Sequence, residues 1–309
     1  MSGSKKAEPK ALLKVVNDAL RLLEHTVDLP SGEPVLAEPL PGLYQQCLEL
    51  NQSIQQRTPE PIRTVHHFAC TGGTLMCKYL AATPNTRLLS EVDPLSPLSK
   101  PYFSPTDLIK QYRHSIRPVQ DSVLWDVFLA GLAKIYEQAT YQGERLVLRD
   151  HTHSHFCTGA EIADRDTLRI VLAENFSVKS VVMVRHPLDS FLSLKVNNWV
   201  HFTPSTIEDY AQRYLAFLDA YEGVPIVKYE DFVTDTEGTL QILCDLLDLA
   251  YVPNLGLLTQ IVVLTGDSGR GSSSVEARAR REEPPEVTEA RTSSEAFQTL
   301  CKRLGYDPS

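Results

Sequence analysis

The stretch "TVHHFACTGGTLMCKYLAA", Thr64–Ala82, reads as a strand, a glycine-tight turn and a helix in direct succession. Expected boundaries are a strand over Arg63–Ala69 and a helix over Thr74–Ala82, with Gly72 and Gly73 permitting close backbone approach between them. The N–H groups of Gly72, Gly73, Thr74 and Leu75 lie at the start of that helix, where no intrahelical acceptor exists and the dipole favours an anion. A kinase-type loop would carry GxxxxGK[ST]; this turn has no such lysine, which disfavours ordinary ATP or GTP chemistry. A Gly-Gly turn that holds no ligand is the other reading of the same residues.

Outward from this stretch, short β-branched runs alternate with helical ones, as in βαβ units with a parallel sheet. Strands are expected at Thr86–Glu91, at "RLVLRD" (145–150), at Val178–Arg185 and at "PIVKYE" (225–230). Helices are expected over Thr106–Arg117, Ser122–Gln142, Asp164–Asn175, Leu188–Asn197, Thr206–Tyr221 and Glu237–Leu249. The predicted fold is α/β: three layers, α/β/α, around a central, mostly parallel sheet of about five strands.

Around this core (61–265) the sequence predicts an N-terminal helical segment (1–60), with helices over Ala11–Leu23 and Leu43–Ile54 packed on its outside. A Gly-, Ser- and Pro-rich loop or lid (266–292) and a closing helix (293–309) complete a single domain. With 309 residues and 42% hydrophobic residues, the chain can bury a large core. Its apolar runs fall far short of the ~20 residues that span a bilayer, so no integral membrane association is expected. The N-terminus does not resemble a secretory signal, which predicts a cytoplasmic location. Six cysteines without CxxC spacing are expected as free thiols. A net charge of −9 disfavours a nucleic-acid-binding surface, so a polyanionic ligand needs a local basic pocket.

Two further stretches carry candidate chemistry. In "SVVMVRHPLDSFLSLK" an arginine leaves the carboxyl end of a central strand, where ligands sit in open α/β sheets; Arg185 and Ser193 could bind one phosphate. Alternatively Arg185 pairs with Asp189. In "RLVLRDHTHSHF", His151, His153 and His155 share one face if the strand continues, and with His66 and His67 they could be metal ligands. No acidic or cysteine ligand of matching spacing joins them. A general base just past the strand end is the other reading, since imidazole titrates near neutral pH.

The order of "CTGGT" after the first strand, "RDH" after a middle strand, "RHPLDSFLS" after the core strand, "YEDF" later and "SGRG" near the end resembles the PAPS-dependent sulfotransferases, over Arg63–Gly271. The resemblance implies a P-loop NTPase-like architecture and transfer of a sulfuryl group from 3'-phosphoadenosine 5'-phosphosulfate (PAPS) to a hydroxyl or amine, with no metal. It implies that Cys70, Thr71, Gly72, Gly73, Thr74 and Leu75 hold the 5'-phosphosulfate. Arg185 and Ser193 would take the 3'-phosphate, aided by Arg270 and Gly271, with Tyr229 near the nucleotide. His151, in the place of the histidine of the family's Lys-Thr-His segment, would be the base. Many members carry Lys-Ser-Gly-Thr at the first loop, and the lysine position falls on Cys70. Arg149 is the first choice for the missing charge and Lys78 the second. A nucleotide-binding protein without efficient catalysis is the alternative.

The acceptor is expected to be a small molecule, carbohydrate or lipid. Glu91, Asp93, Trp199 and His201, with Tyr102 and Phe103, stand in loops at the ligand end of the sheet, and Glu91 or Asp93 could assist as base. A small-molecule kinase and a metal hydrolase built on the five histidines are the competing classes.

Overall fold

The structure, a computed structural model, describes residues 42, 44–49, 59–98, 105–266, 275 and 280–308. The chain divides into two units, Met1–Arg57 and Thr58–Ser309. In the first, residues 44–49 are helical; the helix expected at 11–23 and the packing expected of this segment lie outside the described residues.

The second unit is built on a five-stranded parallel sheet in the order β2-β3-β1-β5-β7. Its strands are β1 (Ile62–His67), β2 (Thr86–Val92), β3 (Arg145–Asp150), β5 (Val178–Val184) and β7 (Ile226–Lys228). β1 is buried along its whole length, as a strand covered on both faces must be.

Alternation along the strands sends side chains to opposite layers. On one face Val65, Val147, Val181 and Met183 pack with Met76 and Leu80 of α1 (Gly73–Ala82). Leu240, Leu243 and Leu247 of a later helix, Thr236–Leu247, join them. On the other face Leu146 and Leu148 meet α3 (Asp121–Tyr141) and α5 (Leu168–Ala173), which follow the short α2 (Leu108–Arg113). Val182 and Val184 meet α6 (Pro187–Val196) and α7 (Ile207–Ala220) there. This is the expected three-layer α/β/α fold. The connections place α8 (Tyr229–Thr234) directly after β7, then α9 (Thr236–Leu247), a 3-10 turn at Leu255–Gln260, α10 (Pro285–Ser293) and α11 (Glu295–Leu304).

Four expectations need correction, and one condition is not met. The helix expected over 164–175 shortens to α5, whose start is fixed by Thr167 accepting the Ile170 N–H at 3.4 Å. β3 ends at Asp150 as expected, but the histidines, which share one face only if the strand continues, form the short helix α4 (Thr152–Phe156). Asp150 is captured sideways: its Oδ2 lies 2.8 Å from His66 Nδ1 and accepts from the Tyr221 hydroxyl at 2.8 Å. A buried carboxylate needs such partners, and here they fix the strand end. The strand expected at 225–230 ends at Lys228, because Tyr229 and Glu230 begin α8. The helix expected over 106–117 shrinks to α2, whose start is fixed by Asp107 accepting the Lys110 N–H. Within the expected loop 266–292, α10 forms because Pro285 presets the first helical turn and Val287 is buried. One small sheet was not expected: β4 (Thr158–Gly159) pairs in parallel with β6 (His201–Phe202).

Candidate functional site

The carboxyl ends of β1, β2, β3 and β5 converge on the loop that opens α1. Gly72 is the N-cap, with φ 86°, and Cys70 is also left-handed, with φ 60°. The two glycines are needed for different reasons. A Cβ on Gly72 would lie 2.2 Å from Cδ2 of Tyr229, and one on Gly73 would lie 2.5 Å from the His67 ring. The loop is therefore wedged between two rings. Thr71 donates from its hydroxyl to the Phe68 carbonyl at 2.8 Å, and the Leu75 N–H donates to Gly72 O at 3.0 Å. Leu75, expected among the anion donors, is thus spent on the turn; Gly73 and Thr74 keep the first-turn N–H groups without a backbone acceptor.

Arg185 follows β5. Its Nη1 donates to the Cys70 carbonyl at 3.5 Å, and its guanidinium carbon stands 4.7 Å from the centroid of the Tyr229 ring. The Cys70–Gly72 loop, Arg185 and Tyr229 are so brought together from three separate parts of the sequence. Asp189, the alternative partner of Arg185, instead pairs with Arg280 at 3.1 Å. Ser193 is buried two turns into α6, where its Oγ accepts from Asn197 Nδ2 at 3.3 Å. Arg270 and Gly271 lie outside the described residues, as do Tyr102 and Phe103.

On the other side of the loop stands a second group, centred on Arg149. Its Nε donates to His67 Nε2 at 2.9 Å, Nη1 to Ser90 Oγ at 3.0 Å, and Nη2 pairs with Glu91 Oε1 at 2.7 Å. The other oxygen of Glu91 is 3.3 Å from His151 Nε2. Glu91 therefore bridges Arg149 and His151. His67 joins this group to the loop: it accepts from Arg149, bonds through Nδ1 to the Phe68 carbonyl at 3.1 Å and packs under Gly73. Burial, reinforced by the Arg149 charge, holds the His67 imidazole well below its usual pKa. A neutral ring is what this geometry requires, since an imidazolium could not accept from the guanidinium.

Neighbouring residues divide between framework and open positions. Asp93 receives both guanidinium arms of Arg165, at 2.8 and 2.7 Å, together with the Leu95 N–H and the Ser154 hydroxyl. Burial alone would raise its pKa, but these hydrogen bonds and the Arg165 charge hold it below the ordinary value. His153 is pushed down to about 3 by burial and by its neighbours His151 and His201, against the hydrogen bond to the Trp199 backbone. The His153 ring lies between those of His151 and His201, at 6.1 and 5.6 Å. Trp199 is half-buried and His201 exposed.

The five histidines do not converge. His66 and His67 point to opposite faces of β1, the first taken by Asp150 and the second by Arg149. Among the described residues no group of three His, Cys, Asp or Glu side chains could hold a metal ion. Sequence reasoning weighed His67 only as a metal ligand, not as the partner of Arg149, and missed Ser90 and Arg165. The doublet "HH" beside the glycine turn was the available signal for the first; the other two are defined only by partners distant in sequence.

The sulfotransferase family model matches residues 68–253, and the chain belongs to that family. Among solved structures it is similar to a sulfotransferase from Alicyclobacillus acidocaldarius, at 16% identity and a TM-score of 0.45, over 81% of this chain and 97% of that one. It is also similar to mouse sulfotransferase SULT7A1 complexed with PAP (12%, TM-score 0.38, 82% and 92%). A third is sulfotransferase STF9 from Mycobacterium avium (11%, TM-score 0.41, 97% and 86%). No curated protein matches the chain significantly. No helix among the described residues is long and apolar enough to cross a membrane.

Proposed function

We propose that this protein transfers the sulfuryl group of PAPS to a hydroxyl or amine of a small-molecule, carbohydrate or lipid acceptor. The observation that carries the reading is the wedged loop itself: one flank meets Arg185 and Tyr229, the other meets Arg149, Glu91 and His151 through His67. A nucleotide phosphate and a reacting hydroxyl could thus meet at one strand-end crevice.

In this reading the loop Cys70–Thr74 cradles the 5'-phosphosulfate, with the N–H groups of Gly73 and Thr74 and the α1 dipole facing the leaving phosphate, while Leu75 closes the turn. Arg185 and Ser193 take the 3'-phosphate, Arg270 and Gly271 assist, and the Tyr229 ring stacks at the nucleotide side. His151 removes the proton from the acceptor as its oxygen attacks sulfur in line with the departing phosphate oxygen. Glu91 steadies the imidazolium that results, so its role is electrostatic. Such transfer needs positioning and charge stabilisation more than covalent help from the protein. Trp199 and His201 form the acceptor side; Asp93 anchors α4 through Ser154 and its ion pair with Arg165.

A second reading, a nucleotide-binding protein without turnover, is favoured by one observation: the charge of Arg149, first choice to replace the family lysine, is already paired with Glu91.

Calorimetric titration with PAP and with ADP tests the site. PAP should bind more tightly, and Arg185→Ala should cost PAP about 1.5 to 3 kcal/mol, roughly 10- to 150-fold, with little effect on ADP. Equal affinity for the two nucleotides would remove the 3'-phosphate pocket and the proposed function with it. Tight PAP binding without sulfated product from any hydroxylated acceptor would select the second reading.

A further inference from the structure

The register of β2 against β3 slips between Leu89 and Val92: Leu89 stands opposite Leu148 and Val92 opposite Asp150. Ser90 and Glu91 together face Arg149, which makes a bulge, and Glu91 adopts φ 58°. A non-glycine residue in that region is strained and persists only when its surroundings hold it there. Arg149 supplies part of the restraint. The remainder comes from the turn after the 3-10 segment. The Ser90 hydroxyl donates to the Thr265 carbonyl at 2.9 Å, and the Thr265 hydroxyl returns a hydrogen bond to the Ser90 carbonyl at 2.6 Å. Gly266, at φ 74°, then gives its missing side chain's place to Glu91: a Cβ there would lie 2.4 Å from Oε1, 2.5 Å from Cγ and 2.7 Å from Cδ.

We propose that the Thr265–Gly266 turn is a positioning element of this site, clamping the β2 bulge so that the Glu91 carboxylate stays between Arg149 and His151. Bulges beside active sites re-aim side chains. Here the re-aimed residue is held from the far side by a turn 175 residues later in the chain. The clamp itself stands on geometry; its consequence for turnover rests on the proposed function.

The test compares Gly266→Ala with Gly143→Ala in the full chain. Gly143 has a similar φ of 72° but open space around it, so its alanine variant carries the backbone strain without the contact. Deuterium exchange of backbone amides in the segment 86–95 should quicken in Gly266→Ala and not in Gly143→Ala. In a Glu91→Ala background, which removes the Cγ and the carboxylate that the new methyl would meet, Gly266→Ala should add no further quickening. Unchanged exchange in Gly266→Ala, an equal change in Gly143→Ala, or the same added quickening in the Glu91→Ala background overturns the clamp. Release of PAP from PAPS should fall by about a hundredfold in Gly266→Ala with KM for PAPS unchanged, as expected of a displaced reacting group. A loss through KM alone would make the turn a nucleotide-binding element and overturn the positioning role. If the wild-type protein binds no PAP, the proposed function fails while the exchange result still decides the clamp.

Discussion

Gly72→Ala probes the wall of the loop with a single methyl group. Two costs can be worked from the structure. The backbone at φ 86° lies in the left-handed region, where an L side chain costs roughly 1 to 2 kcal/mol. The new Cβ would also stand 2.2 Å from Tyr229 Cδ2, so the ring must retreat by about 1.2 Å to reach an ordinary 3.4 Å contact. That retreat carries the ring away from Arg185, forfeiting a cation–π contact worth roughly 0.5 to 2 kcal/mol. The sum is a destabilisation of about 1.5 to 4 kcal/mol. Gly223→Ala is the reference: at φ 76° and with nothing within 4 Å, it should lose only the backbone part. Urea denaturation at constant m-value measures both, and titration with PAP measures the displacement of Arg185. Removing the ring in Tyr229→Ala should abolish the excess cost of Gly72→Ala. Equal losses in the two glycine variants, with PAP affinity unchanged in Gly72→Ala, would refute the idea that Tyr229 walls the loop and aligns Arg185.

His151→Ala should lower turnover by about 10² to 10⁴, the range for a lost general base, while PAP affinity holds; unchanged turnover removes His151 from the mechanism. Acid should destabilise the fold well before carboxylates titrate. His67, His153, His155 and His186 all have imidazoles held below the ordinary value by burial. The unfolded chain therefore takes up protons near pH 6.5 that the native state refuses, and stability falls as pH drops below that value. For His153 the window runs down to about 3, at up to about 1.4 kcal/mol per pH unit. Asp93, depressed below its ordinary value of 3.8, extends the loss in the same direction at lower pH. Urea midpoints between about pH 7 and 4 measure the slope, which His153→Gln should flatten by up to one proton; stability independent of pH across that range would contradict the burial of these rings.

The sheet was legible because short β-branched runs alternate with helical ones and glycine marks the turn after the first strand. The loop and the "RHPLDSFLS" stretch could be placed at strand ends by the same alternation. The histidine run could not. "DHTHSH" suits an alternating strand as well as a short helix, and what decides it is Asp150, held by His66 and Tyr221 from elements 84 and 71 residues away. The bulge at Ser90–Glu91 was equally hidden, since Thr265 and Gly266 define it from across the sequence. Arg149 was legible as a cation near the loop, but its engagement with His67, Ser90 and Glu91 is a tertiary fact. Local pattern thus located the crevice, and long-range contacts determined what each charge in it is free to do.

That distinction bears on the cysteine at position 70. On the proposed reading, a lysine there would place a fixed positive charge beside the phosphosulfate before and during reaction. Arg149 and Glu91 instead pair with each other, and a base at His151 starts the reaction neutral, so on that reading the three side chains begin with no net charge. When His151 takes the acceptor's proton, the group gains one positive charge beside a carboxylate 3.3 Å away. On the proposed reading, this charge arises in the same step that builds negative charge on the leaving phosphate. It would not strengthen ground-state binding of PAPS, and it would be felt only as the transfer proceeds, the condition under which binding energy lowers a barrier. His67 stands between the two groups: its ring touches both the guanidinium and the glycine turn, and burial holds it neutral, so it adds no permanent charge of its own to the site.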